Sequence, residues 1–316
     1  MTRTAAQQVS GRAGGDAARG NLPRAALTAF APAVWGTTYV VTTELLPPGH
    51  PLFAGLLRAL PAGLIVLAIT RLLPYGRWWW KAAVLGVLNI GLLNALLFIA
   101  AERLPGGVAA TLAAAQPLIV ALLAVAVLHE RASAWRLAWG VIGVVGVGLV
   151  VIGPAAALDF VGVAAGLGST ASMALGLTLT KRWGRPAEAG PVTFAGWQLA
   201  AGGIFLLPLT VVFEGPPPAI DGVAALGYLW LGLAGGLIAY VLWFRGITTL
   251  PVTSVAVLVL LSPLVAAVLG AVLLGQTLGP IQLVGFVVSL AAIVAGQLPA
   301  PTRTSVSTPA PEKAHR

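Results

Sequence analysis

The chain has 316 residues, 58% of them hydrophobic and only 9% charged, where a soluble domain averages about 25% charged. Apolar runs longer than about 18 residues recur along it, which excludes an ordinary soluble domain and makes it a polytopic membrane protein. The net charge of +9 does not imply nucleic acid, because the basic residues sit in short loops and form no stripe on a soluble face; the lack of cysteine excludes disulfides, thiolate metal sites and cysteine nucleophiles.

Residues 1–24 read as a polar, basic, disordered cytoplasmic tail. The apolar run after Arg24 is too long for the core of a signal peptide and reads as an uncleaved first span. Ten spans are expected at about 25–46, 52–73, 79–101, 106–128, 135–153, 160–181, 191–213, 223–245, 251–274 and 280–298. Residues 299–316 are rich in Pro, Ser and Thr and read as a second disordered cytoplasmic tail. The fold expected is therefore an all-α polytopic membrane protein of ten transmembrane helices.

Span 1 carries Trp35-Gly36-Thr37-Thr38-Tyr39 near its centre. Trp and Tyr prefer membrane interfaces, so a pair at the midplane needs another reason. Their rings suit a planar or aliphatic substrate, with N–H and O–H groups for orientation; close helix packing at Gly36 is the alternative. Span 2 contains Arg58, the one basic residue clearly inside a span and away from its ends. An intramembrane charge is a functional signal by default, although its stem could snorkel outward or its head pair with Glu44 or Glu102. Span 3 holds Asn89 and Asn94, which point to different faces, so at most one reaches a shared cavity; Asn94 is the candidate.

Span 4 carries Gln116 and Pro117 near its middle, and span 9 carries Ser262 and Pro263 at the same depth. Each proline removes the donor for the carbonyl four residues back, that of Ala113 or Val259. Such a carbonyl must face a cavity, water or a neighbouring helix. Trp197-Gln198 in span 7 and Tyr240 with Trp243 in span 8 are further polar and aromatic groups. Gln198 and Tyr240 are pathway candidates, whereas Trp243 and Arg245 read as an inner anchor. Spans 5 and 10 are poor in polar groups. The glycines of span 5 and Gly162 and Gly166 at the start of span 6 predict scaffold or subunit contacts, the latter allowing a homo-oligomer.

The segment Leu104–Glu130 returns at Leu250–Gln276, with 9 of 27 paired positions identical. A repeat of this length fixes the architecture. Its halves occupy 25–153 and 160–298. Five spans separate corresponding elements, and five is odd, so the copies must run in opposite senses across the bilayer. With the N-terminus in the cytoplasm, 16 of the 18 Lys and Arg fall on the inner side; Arg103 lies outside and Arg58 within a span. Both termini are then cytoplasmic. Inverted repeats with broken helices at matching positions mark secondary transporters, with the substrate site near the midplane. One departure is that Glu130 stands opposite Gln276.

Several strings resemble the EamA-type family of the drug/metabolite transporter superfamily. They are the stretch from Asn89 to Glu130, Trp35 to Tyr39, Arg58 to Gly63, Thr193 to Gln198 and Leu242 to Gly246. Together they look most like its PecM-like branch, associated with pigment export. The resemblance spans about residues 25–298 and implies an exporter with spans 1–4 and 6–9 around a central cavity. It also puts any role of the second-copy acid in doubt, since Gln276 stands where the family often has Glu.

The expected function is a secondary transporter, exporting small metabolites, pigments or drug-like compounds across the plasma (inner) membrane by alternating access. No G-x-x-x-x-G-K-[ST] string provides a built-in ATPase. The expected partners are a small-molecule substrate and membrane lipid, with no cofactor and no metal. The alternatives are an intramembrane enzyme, which would need His, Asp or Glu converging at one depth, and a non-transporting regulatory or scaffolding membrane protein.

Overall fold

The computed structural model describes residues 23–130, 133–151, 159–247, 258 and 260–298, without the side chains of residues 151, 244, 247 and 297. The two expected tails, apart from residues 23 and 24, lie outside the described residues, as do the start of span 9 and the Val259 carbonyl. The described residues are helical, with no strand among them.

In chain order the helices are α1 (23–45, interrupted by a turn at Thr37), α2 (Pro51–Thr70), α3 (Trp78–Arg103), α4 (Gly106–Leu128) and α5 (Ala134–Val151). They continue with α6 (Phe160–Trp183), α7 (Pro191–Phe213), α8 (222–247), α9 (Leu261–Leu274) and α10 (Pro280–Gln297). Six helical stretches, α2, α3, α4, α6, α7 and residues Gly222–Trp243 of α8, are each long and apolar enough to cross a bilayer. Ala134–Val150, Leu261–Leu274 and Pro280–Gly296 are shorter apolar helices. Large apolar side chains such as Ile69, Phe160, Phe213 and Val272 point outward, the surface of a chain solvated by lipid.

The helix ends follow from local sequence. Pro51, Pro191 and Pro280 open α2, α7 and α10, where the missing N–H costs nothing. Asp159 and Asp221 cap α6 and α8 by accepting from the N–H groups of Gly162 (2.8 Å) and Ala224 (2.7 Å). α2 lacks a side-chain cap of its own. The Glu214 carboxylate, from the α7–α8 loop, instead accepts from the N–H groups of Leu52 (2.6 Å) and Phe53 (2.9 Å).

α4 is broken where its proline predicts. It is α-helical over Gly106–Thr111, tightens to a 3-10 turn over Leu112–Ala115, and resumes at Gln116. The expectation for the Ala113 carbonyl is corrected here. It does not wait for a cavity or a neighbouring helix, because the N–H of Gln116 takes it in the shorter 3-10 pattern. At the far ends of α4 and α9 the chain terminates identically. His129 and Gly275, 146 positions apart, both adopt the left-handed conformation (φ 56° and 64°). The N–H of the next residue closes on Ala124 (3.1 Å) in one copy and on Gly270 (2.9 Å) in the other. The repeat thus survives in backbone geometry although histidine has replaced glycine.

Two further irregularities were not foreseen. α3 widens into a π-helix over Val87–Gly91 and α8 over Trp230–Ile238. Shifted by the repeat distance, 87–91 becomes 233–237, which lies inside the second segment. π-segments disturb the helical hydrogen-bond ladder and concentrate at functional sites.

Helices of equal rank in the two halves pack on each other: α2 on α7, α5 on α10 and the start of α4 on α9. Small residues make these crossings close. A Cβ added at Gly203 would stand 2.6 Å from Leu60 Cβ, and one at Gly285 would stand 2.6 Å from the Gly146 carbonyl oxygen. α1 packs instead on α8, and α3 on α6.

Candidate functional site

α1 bends at Thr37, whose hydroxyl bonds back to the Val34 carbonyl (2.7 Å) and accepts from Trp230 Nε1 of α8 (2.8 Å). Gly36 sits so close to α9 that a Cβ there would come 2.5 Å from the Ser262 carbonyl oxygen. Glycine is required here for a close approach. The bend sets Trp35 against α8. Its ring packs on Tyr240 (5.4 Å, tilted) and edge-on to Trp243 (5.6 Å), while its Nε1 donates to the Gly235 carbonyl within the π-segment (2.9 Å). The equivalent contact in the other half uses serine: Ser172 of α6 donates to the Leu88 carbonyl (2.7 Å) in the π-segment of α3.

One turn further out, Thr38 and Tyr39 are buried, and Arg58 of α2 is buried beside them with only 6% of its surface exposed. The guanidinium donates to Thr38 Oγ1 at a long 3.4 Å, stands 5.8 Å from the Phe98 ring centre, and lies within electrostatic range of Tyr39 and Tyr240. Its burial keeps it from snorkelling, and it pairs with no acid among the described residues. Glu44 is exposed and Glu102 accepts from the backbone of Gly49 and His50. Tyr39 also lines a small crevice of ≈ 10 Å³ with Gly106, Gly270 and Gln276, where Gln276 Oε1 accepts from the Gly106 N–H (3.1 Å). A second crevice of similar size lies beside Tyr240, Leu199 and Val66.

The structure therefore brings together Trp35, Thr38, Tyr39, Arg58 and Tyr240, with the Ser262 backbone adjoining. Other candidates lie elsewhere. Gln116 and Pro117 are half-buried in a segment packed against α5, with Leu118 on Gly140. Pro263 is buried near the start of α9. Asn94 is buried against Gly55. Gln198 belongs to a separate polar group, in which its Oε1 accepts from Asn89 Nδ2 (2.8 Å) and Asn89 also reaches Thr180 (3.4 Å). Gly176 makes room for Asn89, whose Oδ1 is buried with no partner among the described residues. Asn89, Trp230 and Gly235 were not nominated from sequence. The Gly235-Gly236 pair in an apolar span was the available signal for the π-segment.

The loops add fastenings at both ends. On one side Arg103 bonds Asp159 (2.9 Å); on the other Lys181 bonds Glu130 (2.6 Å) and Tyr75 donates to Glu188. The Gly162 N–H, then Arg103, holds Asp159 below the usual carboxylate range. Tyr75 holds Glu188 low in the same way and is itself pushed up.

The EamA-like transporter family matches this chain twice, over residues 23–152 and 160–295. Protein PecM of Dickeya dadantii is 45% identical over 265 residues, covering 84% of this chain and 89% of that protein. The threonine/homoserine exporter RhtA of Escherichia coli K12 is 31% identical over 212 residues, covering 66% of this chain and 67% of its own. One solved crystal structure, 18% identical, shares the fold with a TM-score of 0.60 over 87% of this chain and 95% of its own. With two family copies filling most of its length, the chain belongs to the EamA-like transporter family and is a PecM-like integral membrane transporter.

Proposed function

We propose that the protein is a secondary exporter of small metabolites, pigments or drug-like compounds in the plasma membrane. It works with ten spans arranged as two inverted halves, 25–153 and 160–298, and both termini cytoplasmic. The observation that carries this reading is the meeting of Trp35, Tyr39 and Arg58 from the first half with Tyr240 from the second, around a bend in α1 and a π-segment in α8. Substrate sites of inverted-repeat transporters lie at such a junction, where irregular backbone is tolerated because it lines a pathway.

Further support comes from the pairing of equal-ranked helices, α2 with α7 and α5 with α10, the arrangement that a two-fold axis in the membrane plane produces. The positive-inside charge pattern supports the orientation, and the RhtA relative supports export. The two crevices hold only ≈ 10 Å³ each, far below the roughly 300–1,000 Å³ of small-molecule pockets. Alternating access requires the halves to part on one side at a time. Every carboxylate lies in a loop, a tail or at a helix end, so no coupling residue is assigned.

Everted vesicles from cells making the protein test the reading. Wild-type vesicles should accumulate one or more compounds from a broad metabolite panel, and Trp35→Ala should abolish that accumulation. If no compound moves, and secreted metabolites are the same with and without the protein, a regulatory or scaffolding role replaces transport.

A further inference from the structure

Arg58 is a buried cation with no counter-charge among the described residues. Among the described residues no carboxylate lies within 4.0 Å of it. The acids that could have served are engaged or turned away: Glu102 with the Gly49 and His50 backbone, Glu214 with the start of α2, Asp159 with Arg103, and Glu44 exposed. The residues at the undescribed start of span 9 include no acid either. A guanidinium offers five donors in a planar fork, and here the described residues provide one long bond, to Thr38. Its position also matters. Arg58 is the eighth residue of α2, about 10 Å of helical rise below the entrance, level with Thr38 and beside the tyrosines of both halves. Burying a cation without a partner is costly, and intramembrane charges kept at that cost mark substrate pathways.

We propose that Arg58 is the anion-recognition residue of the transport site. Its substrates carry a carboxylate-type group that docks on the guanidinium fork, with a planar or apolar body against the wall formed by Trp35 and Tyr240. The Thr38 hydroxyl, 3.4 Å from the guanidinium, is at hand to complete the anion's hydrogen bonding once the halves part. This rests on the transport reading above and adds the chemical class of the cargo.

The test uses the full chain in lipid nanodiscs, with benzoate, its uncharged isostere benzamide, and chloride as probes. Benzoate should raise the unfolding temperature of wild type and benzamide should not. Arg58→Gln should weaken benzoate binding about tenfold or more, and Arg58→Lys should retain part of it. Without ligand, Arg58→Met should unfold at the same temperature as wild type or higher, since it removes an unpaired buried charge. A large loss of stability in Arg58→Met overturns the proposal in favour of a structural cation. So does equal binding of benzoate by Arg58→Gln, a benzamide response matching benzoate, or no response to any probe. If chloride gives the whole shift and benzoate adds nothing, Arg58 holds an inorganic counter-ion and the cargo assignment falls. The two proposals fail separately. Unchanged vesicle transport in Arg58→Gln sinks the anion assignment alone, whereas Arg58-dependent benzoate binding in a protein that moves nothing sinks transport alone.

Discussion

Trp35 Nε1 donates to the carbonyl of Gly235, 200 positions away, at 2.9 Å. One bond thereby joins the bend of α1 in the first half to the π-segment of α8 in the second. The donor is a side chain that apolar packing would otherwise leave unsatisfied, and the acceptor lies where the helical ladder is disturbed. Trp35→Phe keeps the ring contacts with Tyr240 and Trp243 but removes the bond. It should lower stability by about 1 kcal/mol and slow vesicle transport severalfold, measured by thermal unfolding in detergent and by initial rates.

His129 occupies a left-handed C-cap that its counterpart fills with Gly275. A side chain pays about 1–2 kcal/mol for that conformation and glycine does not. His129→Gly should therefore raise stability by about 1 kcal/mol, read as a higher unfolding temperature. The reverse change, Gly275→His, should lower it by a similar amount.

Gly203 lets α7 lie directly on Leu60 of α2, and an added Cβ would stand 2.6 Å from the Leu60 Cβ. Gly203→Leu must push these helices apart and should cost about 3 kcal/mol or more. Size-exclusion profiles should shift from monodisperse to aggregated. A similar substitution at Gly148, where nothing lies within 4 Å of the added atom, should be tolerated.

Tyr75 donates to Glu188 between the α2–α3 and α6–α7 loops. The contact lowers the carboxyl pKa and raises that of the phenol. A depressed carboxylate stabilises the fold above its unfolded value, and this is lost as pH falls through the folded one. A raised phenol stabilises it below its unfolded value, and this is lost as pH rises through the folded one. The fastening thus holds across neutral pH and fails at both extremes. Its exposed position keeps the stability effect small. Tyr75→Phe should flatten the pH dependence of a fluorescent distance probe placed across these loops.

The chain has no cysteine, so introduced thiols report topology without background. Pro48→Cys should react with an impermeant maleimide on intact spheroplasts, and Arg77→Cys should react only after permeabilisation. The opposite pattern inverts the orientation.

The helices were legible in the sequence because a bilayer imposes one simple rule, about 20 apolar residues per crossing. Pro, Gly and charge then mark the ends, and α4 and α7 fall on the expected boundaries. The proline break in α4 was equally legible, since proline chemistry is local. Which of the nominated residues meet one another was not. Asn94 and Gln198 were nominated beside Trp35 and Tyr240, yet Asn94 packs on Gly55 and Gln198 bonds Asn89. Hydropathy places a residue at a depth but says little about which way it faces. In a span that is apolar all round, no polar face reveals the rotation of the helix. The two π-segments were hidden for a related reason. A widened turn leaves composition unchanged and is stabilised by donors from another helix, Trp35 and Ser172.

The sequence by itself determined the membrane class, the repeat, the helix boundaries and the presence of one intramembrane arginine, because each depends on local composition or chain chemistry. Only the tertiary structure decided that Arg58 turns inward to Thr38, without a carboxylate among the described residues, and that α1 docks on α8. Those outcomes depend on how glycine-lined helices close on one another, and the contacts that settle them come from residues far apart along the chain.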